Sequence, residues 1–274
     1  MPIPSDEEIF LIDSKPMSYP TRSSIRKRSK LMRVTGVTGE VLVTAGALMG
    51  LFLVWHLFLN DTIQGDRQNQ SASSLAQEWQ EPEPPSAQQE PTVAIVNPSS
   101  EDPPVTVSPA EGEAFALLYV PRFGPDYVRT IAEGVDVETV LNSRRLGVGR
   151  YLQSEQLGAD GNFALAAHRT TFGAPFGNIG ELRIGDQIYV EVPEGWHAYE
   201  FRNLEYVWET DIKVLNSFPK LEEEVPGARV ITLTSCHPKF TVSERVIAYG
   251  LYSGWYPREG GPPNEIADVV KENS

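Results

Sequence analysis

The chain has 274 residues, a net charge of −14 at pH 7 and one cysteine. Its charge is uneven, because residues 1–33 are net positive while residues 60–274 carry twice as many acidic as basic side chains. An acidic chain with no basic stripe beyond its N-terminus is not predicted to bind nucleic acid. A single cysteine excludes an internal disulfide and a cysteine-rich metal site.

The N-terminal part predicts a membrane anchor. Residues 41–59 contain no Asp, Glu, Lys or Arg, and at ~1.5 Å per residue they reach about the ~30 Å of a bilayer's hydrocarbon core. Basic residues are concentrated at 22–33, before this run. The positive-inside rule therefore predicts that residues 1–40 are cytoplasmic and that the rest of the chain is outside the cell. A cleaved signal peptide is the competing interpretation, but the run is long for one and no A-x-A site follows it.

Two segments fall outside the predicted domains, a linker and a tail. Residues 60–110 are rich in Gln, Ser, Glu and Pro, and they carry too few apolar side chains to offset the loss of chain entropy on folding. We therefore predict a flexible linker there, which lets a domain work at a distance from its anchor. Residues 258–274 are predicted to form a polar tail.

Residues 111–257 predict one all-β domain with short helices. Short apolar runs, several of them alternating with polar residues, are separated by turn signals; they fall at 114–120, 162–167, 187–192, 196–207 and on both sides of Cys236. Many short strands joined by turns favour a closed or nearly closed β-barrel.

Cys236 is the candidate nucleophile. It ends a β-rich run, Pro238 follows it, and Arg245 opens the next apolar run nine residues after it. Another strand candidate ends at His168. Covalent catalysis by cysteine needs a thiolate, a proton donor and a group that stabilises an oxyanion, and an imidazole and a guanidinium supply the last two. The alternative is that Cys236 is an ordinary small core residue, and the spacing alone leaves both interpretations open.

The motif around Cys236 resembles that of a known enzyme family. Thr232-Leu-Thr-Ser-Cys236 is similar to the TLxTC signature of sortases, the membrane-anchored cysteine transpeptidases of Gram-positive bacteria. His168 and Arg245 stand where that family has its other two site residues. Further segments are typical of the class E sortases of actinobacteria, namely VPRFG at 120–124, HRTTFGAPF at 168–176, GELRIGD at 180–186 and CHPKF at 236–240.

The resemblance implies an eight-stranded barrel and a specific reaction. Cys236 would attack the Thr–Gly carbonyl of a LAxTG-like C-terminal sorting signal on a secreted protein. Protonated His168 would donate to the leaving amine, and Arg245 would stabilise the oxyanion. An amine of the lipid-linked peptidoglycan precursor would then release the acyl group, or a pilin lysine would do so in a pilus-polymerising enzyme. The sequence shows neither an aromatic lid motif nor a second apolar span, which favours anchoring of single proteins. No cofactor is implied.

The sequence departs from the family pattern in two places. Ser235 stands where the family usually has Thr, and 145–160 lacks the Pro-Gly-rich approach to the histidine strand. Thr234 and Ser235 are expected to form local hydrogen bonds beside the nucleophile, where they are also secondary candidates for substrate binding. Tyr119 and Tyr127 are further secondary candidates for substrate binding, with ordinary packing as the alternative.

Other site types fit the sequence less well. His237 is expected to point away from Cys236 on an extended backbone. The four histidines show no metal-ligand spacing, and the acidic run at 222–224 is expected to be solvated.

Three rival interpretations compete with a sortase. L,D-transpeptidases have His and Gly just before the cysteine and Arg two residues after it, where this chain has Ser235 and Pro238. Papain-like peptidases have the cysteine at a helix start, whereas the run before Cys236 is β-branched. A tethered extracellular β-domain without activity is the non-enzymatic alternative.

Overall fold

A computed structural model describes most of the chain, namely residues 22–55, 59–79, 96–220 and 225–273. The acidic run at 222–224 and the central part of the predicted linker, 80–95, lie outside the described residues. The chain divides into two compact units, Met1–Leu53 and Val54–Ser274. The second unit contains the predicted β-domain.

Helix α1 spans Arg22–Val54. Among the described residues it is the one helix long and apolar enough to cross a membrane, over Met32–Val54, and none of that segment is buried inside the structure. This helix is a candidate membrane anchor that begins before the predicted span of 41–59. Which end of it faces the cytoplasm stays a prediction.

Helix α2 spans Asn60–Trp79, where the sequence predicted an irregular linker. Its buried residues are Gly65, Gln68, Ala72 and Ala76, at spacings of three and four that place them on one side of the helix. Ala72 and Ala76 pack against the outside of the barrel. The side that packs is narrow and made of small residues, so counting apolar side chains did not reveal it. The prediction of a linker was wrong over this helix.

Eight strands form a closed barrel in the order β1-β2-β3-β4-β7-β8-β6-β5. The strands are β1 Ala114–Tyr119, β2 Val128–Glu133, β3 Val148–Arg150, β4 Gly161–Ala167, β5 Gln187–Val192, β6 Gly195–Trp208, β7 Arg229–His237 and β8 Glu244–Pro257. The β2–β3 and β4–β7 pairs are parallel and the other pairs are antiparallel. This confirms the predicted eight-stranded barrel.

Alternation along the strands divides the side chains between the barrel interior and its outer face. Leu165 on β4, Leu233 on β7 and Val246 on β8 belong to the interior cluster. Their sequence neighbours on each strand therefore point outward. This parity decides the face on which each candidate site residue lies.

The region at 145–160 contains β3, whose Arg150 forms a buried ion pair with Glu133 of β2. Arg150 Nη2 lies 2.6 Å from Glu133 Oε1, Arg150 Nε donates to Glu133 Oε2 at 2.9 Å, and both side chains are 2% exposed. The two residues are register partners in the parallel β2–β3 pair. A two-point guanidinium–carboxylate contact therefore connects strands that share only three register pairs.

The predicted polar tail also packs on the barrel. Helix α3 spans Ala267–Glu272, and Ile266 and Val269 are buried in the same outer cluster as Ala72 of α2. Ile266, the residue before the helix, and Val269 within it are three positions apart and both contribute to this cluster.

Candidate active site

Cys236 and Arg245 lie opposite each other where β7 and β8 pair. They are direct register partners in this antiparallel pair. Opposed residues of such a pair have their Cβ atoms about 4.5–5.5 Å apart on one face of the sheet. Because Leu233 and Val246 point inward, this shared face is the outer face of the barrel. Cys236 is partly exposed, so it is not a core cysteine.

His168 follows β4 at the same end of the barrel. The parallel β4–β7 register pairs Ala166 with Thr234, and continuing it by two residues brings His168 level with Cys236. Ala167 belongs to the interior cluster, so its neighbour His168 points outward. The three predicted catalytic side chains thus project from the same face, at the same end of three neighbouring strands.

The imidazole of His168 is held by two neighbours. Its Nε2 lies 2.8 Å from Asn142 Oδ1, and its ring stacks on Phe172 with 5.1 Å between the ring centroids. An amide oxygen only accepts, so Nε2 carries a hydrogen and Nδ1 is the nitrogen left for proton exchange. Burial lowers the pKa of His168 below its ordinary value, and the carboxylate of Asp61 on α2 opposes that shift.

The guanidinium of Arg245 is anchored to the start of its own strand. Nη1 donates to the carbonyls of Val242 and Glu244 at 2.8 and 2.9 Å, and Nη2 lies 3.6 Å from Glu209 Oε2. These contacts hold the guanidinium in place at the start of β8. Because Arg245 is the register partner of Cys236, its side chain starts directly opposite the cysteine on the same face of the sheet.

Thr234 and Ser235 attach β7 to β4. Thr234 Oγ1 donates to the carbonyl of Leu165 at 3.1 Å, and Ser235 Oγ donates to the carbonyl of Ala167 at 2.7 Å. Both side chains are 3% exposed. Their bonds are therefore structural contacts between strands, and the serine that departs from the family pattern keeps the hydroxyl that makes this bond.

Tyr119 and Tyr127 are buried, which favours the packing role that the sequence left open. Tyr119 is 1% exposed and its hydroxyl donates to Glu191 Oε2 at 2.6 Å. Tyr127 is 8% exposed and its hydroxyl donates to the carbonyl of Pro175 at 2.9 Å. The prediction that these tyrosines bind substrate does not fit this burial.

His237 has partners that differ from those of Cys236. Arg169 Nη1 donates to His237 Nδ1 at 2.7 Å, and the ring of Tyr206 lies 4.2 Å from the imidazole between centroids. Alternation on β7 directs it to the face opposite Cys236, as the sequence predicts. Within the described ranges, no group of three or more His, Cys, Asp or Glu residues is arranged to hold a metal ion.

Segments that the sequence singled out separately contact one another. Arg122 binds Asp186 through two hydrogen bonds of 2.7 and 2.6 Å, which joins 120–124 to 180–186. Tyr127 reaches Pro175 in the segment that begins at His168. These contacts connect the turn after β1 to the loop that contains the histidine.

Sequence reasoning missed Asn142 and Gln68. Asn142 follows a short helical turn that Asp136 caps, and nothing in the local pattern marks it as a partner of His168. Gln68 is fully buried on α2, where the small residues at spacings of three and four were the available signal.

Comparisons with known proteins identify the family of the chain. A model of the sortase domain matches residues 118–252. Sortase SrtE1 of Streptomyces coelicolor is 32% identical over 88% of this chain, which spans 63% of that relative's length. The structure of the SrtA sortase from Actinomyces oris is 31% identical with a TM-score of 0.57, covering 62% of this chain and 96% of that one. The crystal structure of sortase E1 from Streptomyces coelicolor with a tripeptide in the active site is 36% identical with a TM-score of 0.52, covering 57% of this chain and 99% of that one. The chain belongs to the sortase family.

Proposed function

We propose that the chain is a membrane-anchored cysteine transpeptidase. It cleaves a LAxTG-like C-terminal sorting signal between Thr and Gly and transfers the acyl group to an amine of the cell-wall precursor. The observation that carries the proposal is the placement of Cys236, His168 and Arg245 on one face at one end of three adjacent strands. Membership of the sortase family supports the same chemistry.

In the first half-reaction the thiolate of Cys236 attacks the threonine carbonyl carbon of the signal. The C=O electrons move to oxygen, and the guanidinium of Arg245 stabilises the resulting oxyanion. The C–N bond to glycine then breaks, and the imidazolium of His168 gives its Nδ1 proton to the leaving amine. A thioester on Cys236 remains, and the peptide beginning with glycine departs.

In the second half-reaction an amine attacks the thioester. His168, now neutral, takes a proton from the attacking nitrogen, the C–S bond breaks, and the thiolate is regenerated beside Arg245. The same imidazole thus acts as acid and then as base, which requires it to stay in one place between the two steps.

The location of the enzyme follows from the candidate anchor. With the basic N-terminal end of α1, residues 22–33, in the cytoplasm, the catalytic domain stands outside the cell. Secreted proteins with a sorting signal and lipid-linked peptidoglycan precursor are both exposed on that side. Their partnership with this chain is part of the proposal.

The test uses the full-length chain in detergent micelles. LAxTG and LPxTG peptides are added with either a peptidoglycan-precursor amine or a lysine peptide, and products are identified by mass spectrometry. We expect a Thr–amine product with LAxTG and the precursor amine, and none with Cys236→Ala. A product that forms with the lysine peptide but not with the precursor amine would favour pilus polymerisation. Cleavage with no amine product, or no cleavage at all, would overturn the proposed transfer.

A further inference from the structure

Helix α2 places one buried amide between two loops of the candidate site. Gln68 is 0% exposed, and its Nε2 donates to the carbonyls of Ser143 and Phe172, both at 3.1 Å. Burying an amide costs free energy unless it is hydrogen-bonded. These two bonds satisfy the amide nitrogen of Gln68, whereas its Oε1 is buried with no hydrogen-bond partner among the described residues.

The two carbonyls belong to the two segments that hold the ring of His168. Asn142, the residue before Ser143, lies 2.8 Å from His168 Nε2 through its Oδ1. Phe172 stacks its own ring on the imidazole. A single side chain on α2 is therefore bonded to the backbone beside both neighbours of the imidazole.

Two glycines leave the space that this amide occupies. A Cβ at Gly147 would lie 2.4 Å from Gln68 Nε2, and a Cβ at Gly173 would lie 2.7 Å from Gln68 Oε1. Both glycines have φ in the left-handed region, at +94° and +79°. Any larger residue at either position would meet the amide and adopt an unfavourable backbone conformation.

The loop after His168 also needs contacts from outside itself. Thr171 and Phe172 have φ of 66° and 49°, which non-glycine residues rarely adopt. Such conformations persist when surrounding structure holds them. Helix α2 supplies two of the bonds, because Asp61 Oδ2 accepts from Thr171 N at 3.0 Å and Gln68 Nε2 donates to the carbonyl of Phe172.

We propose that Gln68 is a positioning residue, which fixes the imidazole of His168 through the segments of Asn142 and Phe172. The inference rests on the proposed function, which makes His168 the proton donor and acceptor. Helix α2, which follows the candidate anchor in sequence, is then part of the catalytic unit. Without the amide the two loops separate from α2, and the imidazole loses its fixed orientation.

The variant Gln68→Met in the full-length chain tests the proposal, because Met has similar length but no donor. We expect kcat for acyl-enzyme formation to fall about 10- to 100-fold, the scale of a misplaced catalytic group, with KM within about twofold. The matched control is Gln70→Met, at an exposed position of the same helix; it keeps the kcat of the unaltered protein. Unchanged kcat in Gln68→Met would overturn the proposal.

A second readout does not depend on acylation. Diethyl pyrocarbonate modification of His168, followed by peptide mass spectrometry, measures how firmly the ring is held. We expect it to be several-fold faster in Gln68→Met than in Gln70→Met or in the unaltered protein. Equal modification rates contradict the proposal. If His168 of the unaltered chain is modified by the reagent but the chain never forms an acyl-enzyme, the proposed function fails. The modification rates still decide the role of Gln68 in that case.

The variant Asn142→Ala covers the case in which Gln68→Met does not fold. It removes the side chain through which Gln68 is proposed to act on His168, at a half-buried position away from the packed side of α2. We expect the same loss of kcat and the same gain in His168 modification. If Asn142→Ala leaves both unchanged, the path from Gln68 to the imidazole through Asn142 is wrong.

Discussion

Ser235 Oγ donates to the backbone carbonyl of Ala167 at 2.7 Å, which joins β7 to β4 one residue before Cys236 and His168. The spacing between thiol and imidazole is therefore set by paired strands, and only the ring orientation depends on loops. Sites built on strands are more rigid than sites built on loops.

Replacing Ser235 with Ala tests this contact between the strands. The variant leaves the carbonyl of Ala167 without its buried donor, so we expect a loss of about 1–3 kcal/mol in the free energy of unfolding and slower acylation. Chemical denaturation and single-turnover kinetics measure the two effects. Ser253→Ala, which removes an exposed hydroxyl on β8, is the control. Equal effects of the two variants would show that the contact has no special role.

Arg245 is expected to require its guanidinium and not only its charge. Arg245→Ala should lower kcat/KM about 10²- to 10³-fold, the scale of losing an oxyanion-stabilising group. Arg245→Lys should recover only part of this, because an ammonium lacks the planar fork of donors. Peptide-cleavage assays measure both, with Arg202→Lys at an exposed position of β6 as the control. Full activity of Arg245→Lys would show that charge alone suffices.

Asp61 is expected to influence the pH dependence of the reaction. Its carboxylate raises the pKa of His168 against the lowering effect of burial. In Asp61→Asn the amide oxygen can still accept from Thr171, but the charge is lost, so the pKa of His168 falls further. The neighbouring side chains of β7, β8 and the histidine loop (Cys236, Arg245 and Arg169) are unchanged. We expect the limb of the kcat/KM profile that reports the titration of His168 to move to lower pH. An unmoved limb, or one moved upward, contradicts this account.

His197 is expected to make the domain sensitive to acid. It is 0% exposed, and burial, with a smaller effect of Arg229, lowers its pKa to about 3. The unfolded chain, with a histidine pKa of about 6.5, binds a proton first as pH falls. The contribution of neutral His197 to the free energy of unfolding is therefore complete above about pH 6.5. It is lost as the pH falls toward 3, by at most about 1.4 kcal/mol per pH unit.

The variant His197→Leu isolates that contribution from those of the carboxylates. Denaturation curves at a series of pH values should show that the free energy of unfolding falls less steeply with decreasing pH in the variant than in the unaltered chain. Parallel pH profiles for the two proteins would show that His197 is not the cause.

The barrel could be predicted because its signals are local, whereas the grouping of Cys236, His168 and Arg245 was predicted only through the resemblance to sortases. Strand alternation, turn residues and the segment around Cys236 each occupy a few consecutive positions. The packed side of α2 could not be predicted in this way, because small residues such as Ala72 and Ala76 bury little area each and depend on a partner surface.

The residues that hold the imidazole of His168 could not be predicted for a different reason. Asn142 and Gln68 lie 26 and 100 positions before the histidine in sequence, and only the closed barrel and α2 together bring them near it. A polar residue in a polar segment gives no sign that it will be buried. Tyr119 and Tyr127 are the opposite case. The sequence suggested that they contact substrate, whereas the structure buries both side chains.

The most direct test of the central claim is the intact mass of the full-length chain after an acid quench of its reaction with a LAxTG peptide. The account predicts an added acyl group on Cys236, absent in Cys236→Ala and strongly reduced in His168→Ala and Arg245→Ala, while Arg202→Lys forms it normally. An adduct that forms equally well without His168 or Arg245, or a thiol that acquires no acyl group from the peptide, would contradict it.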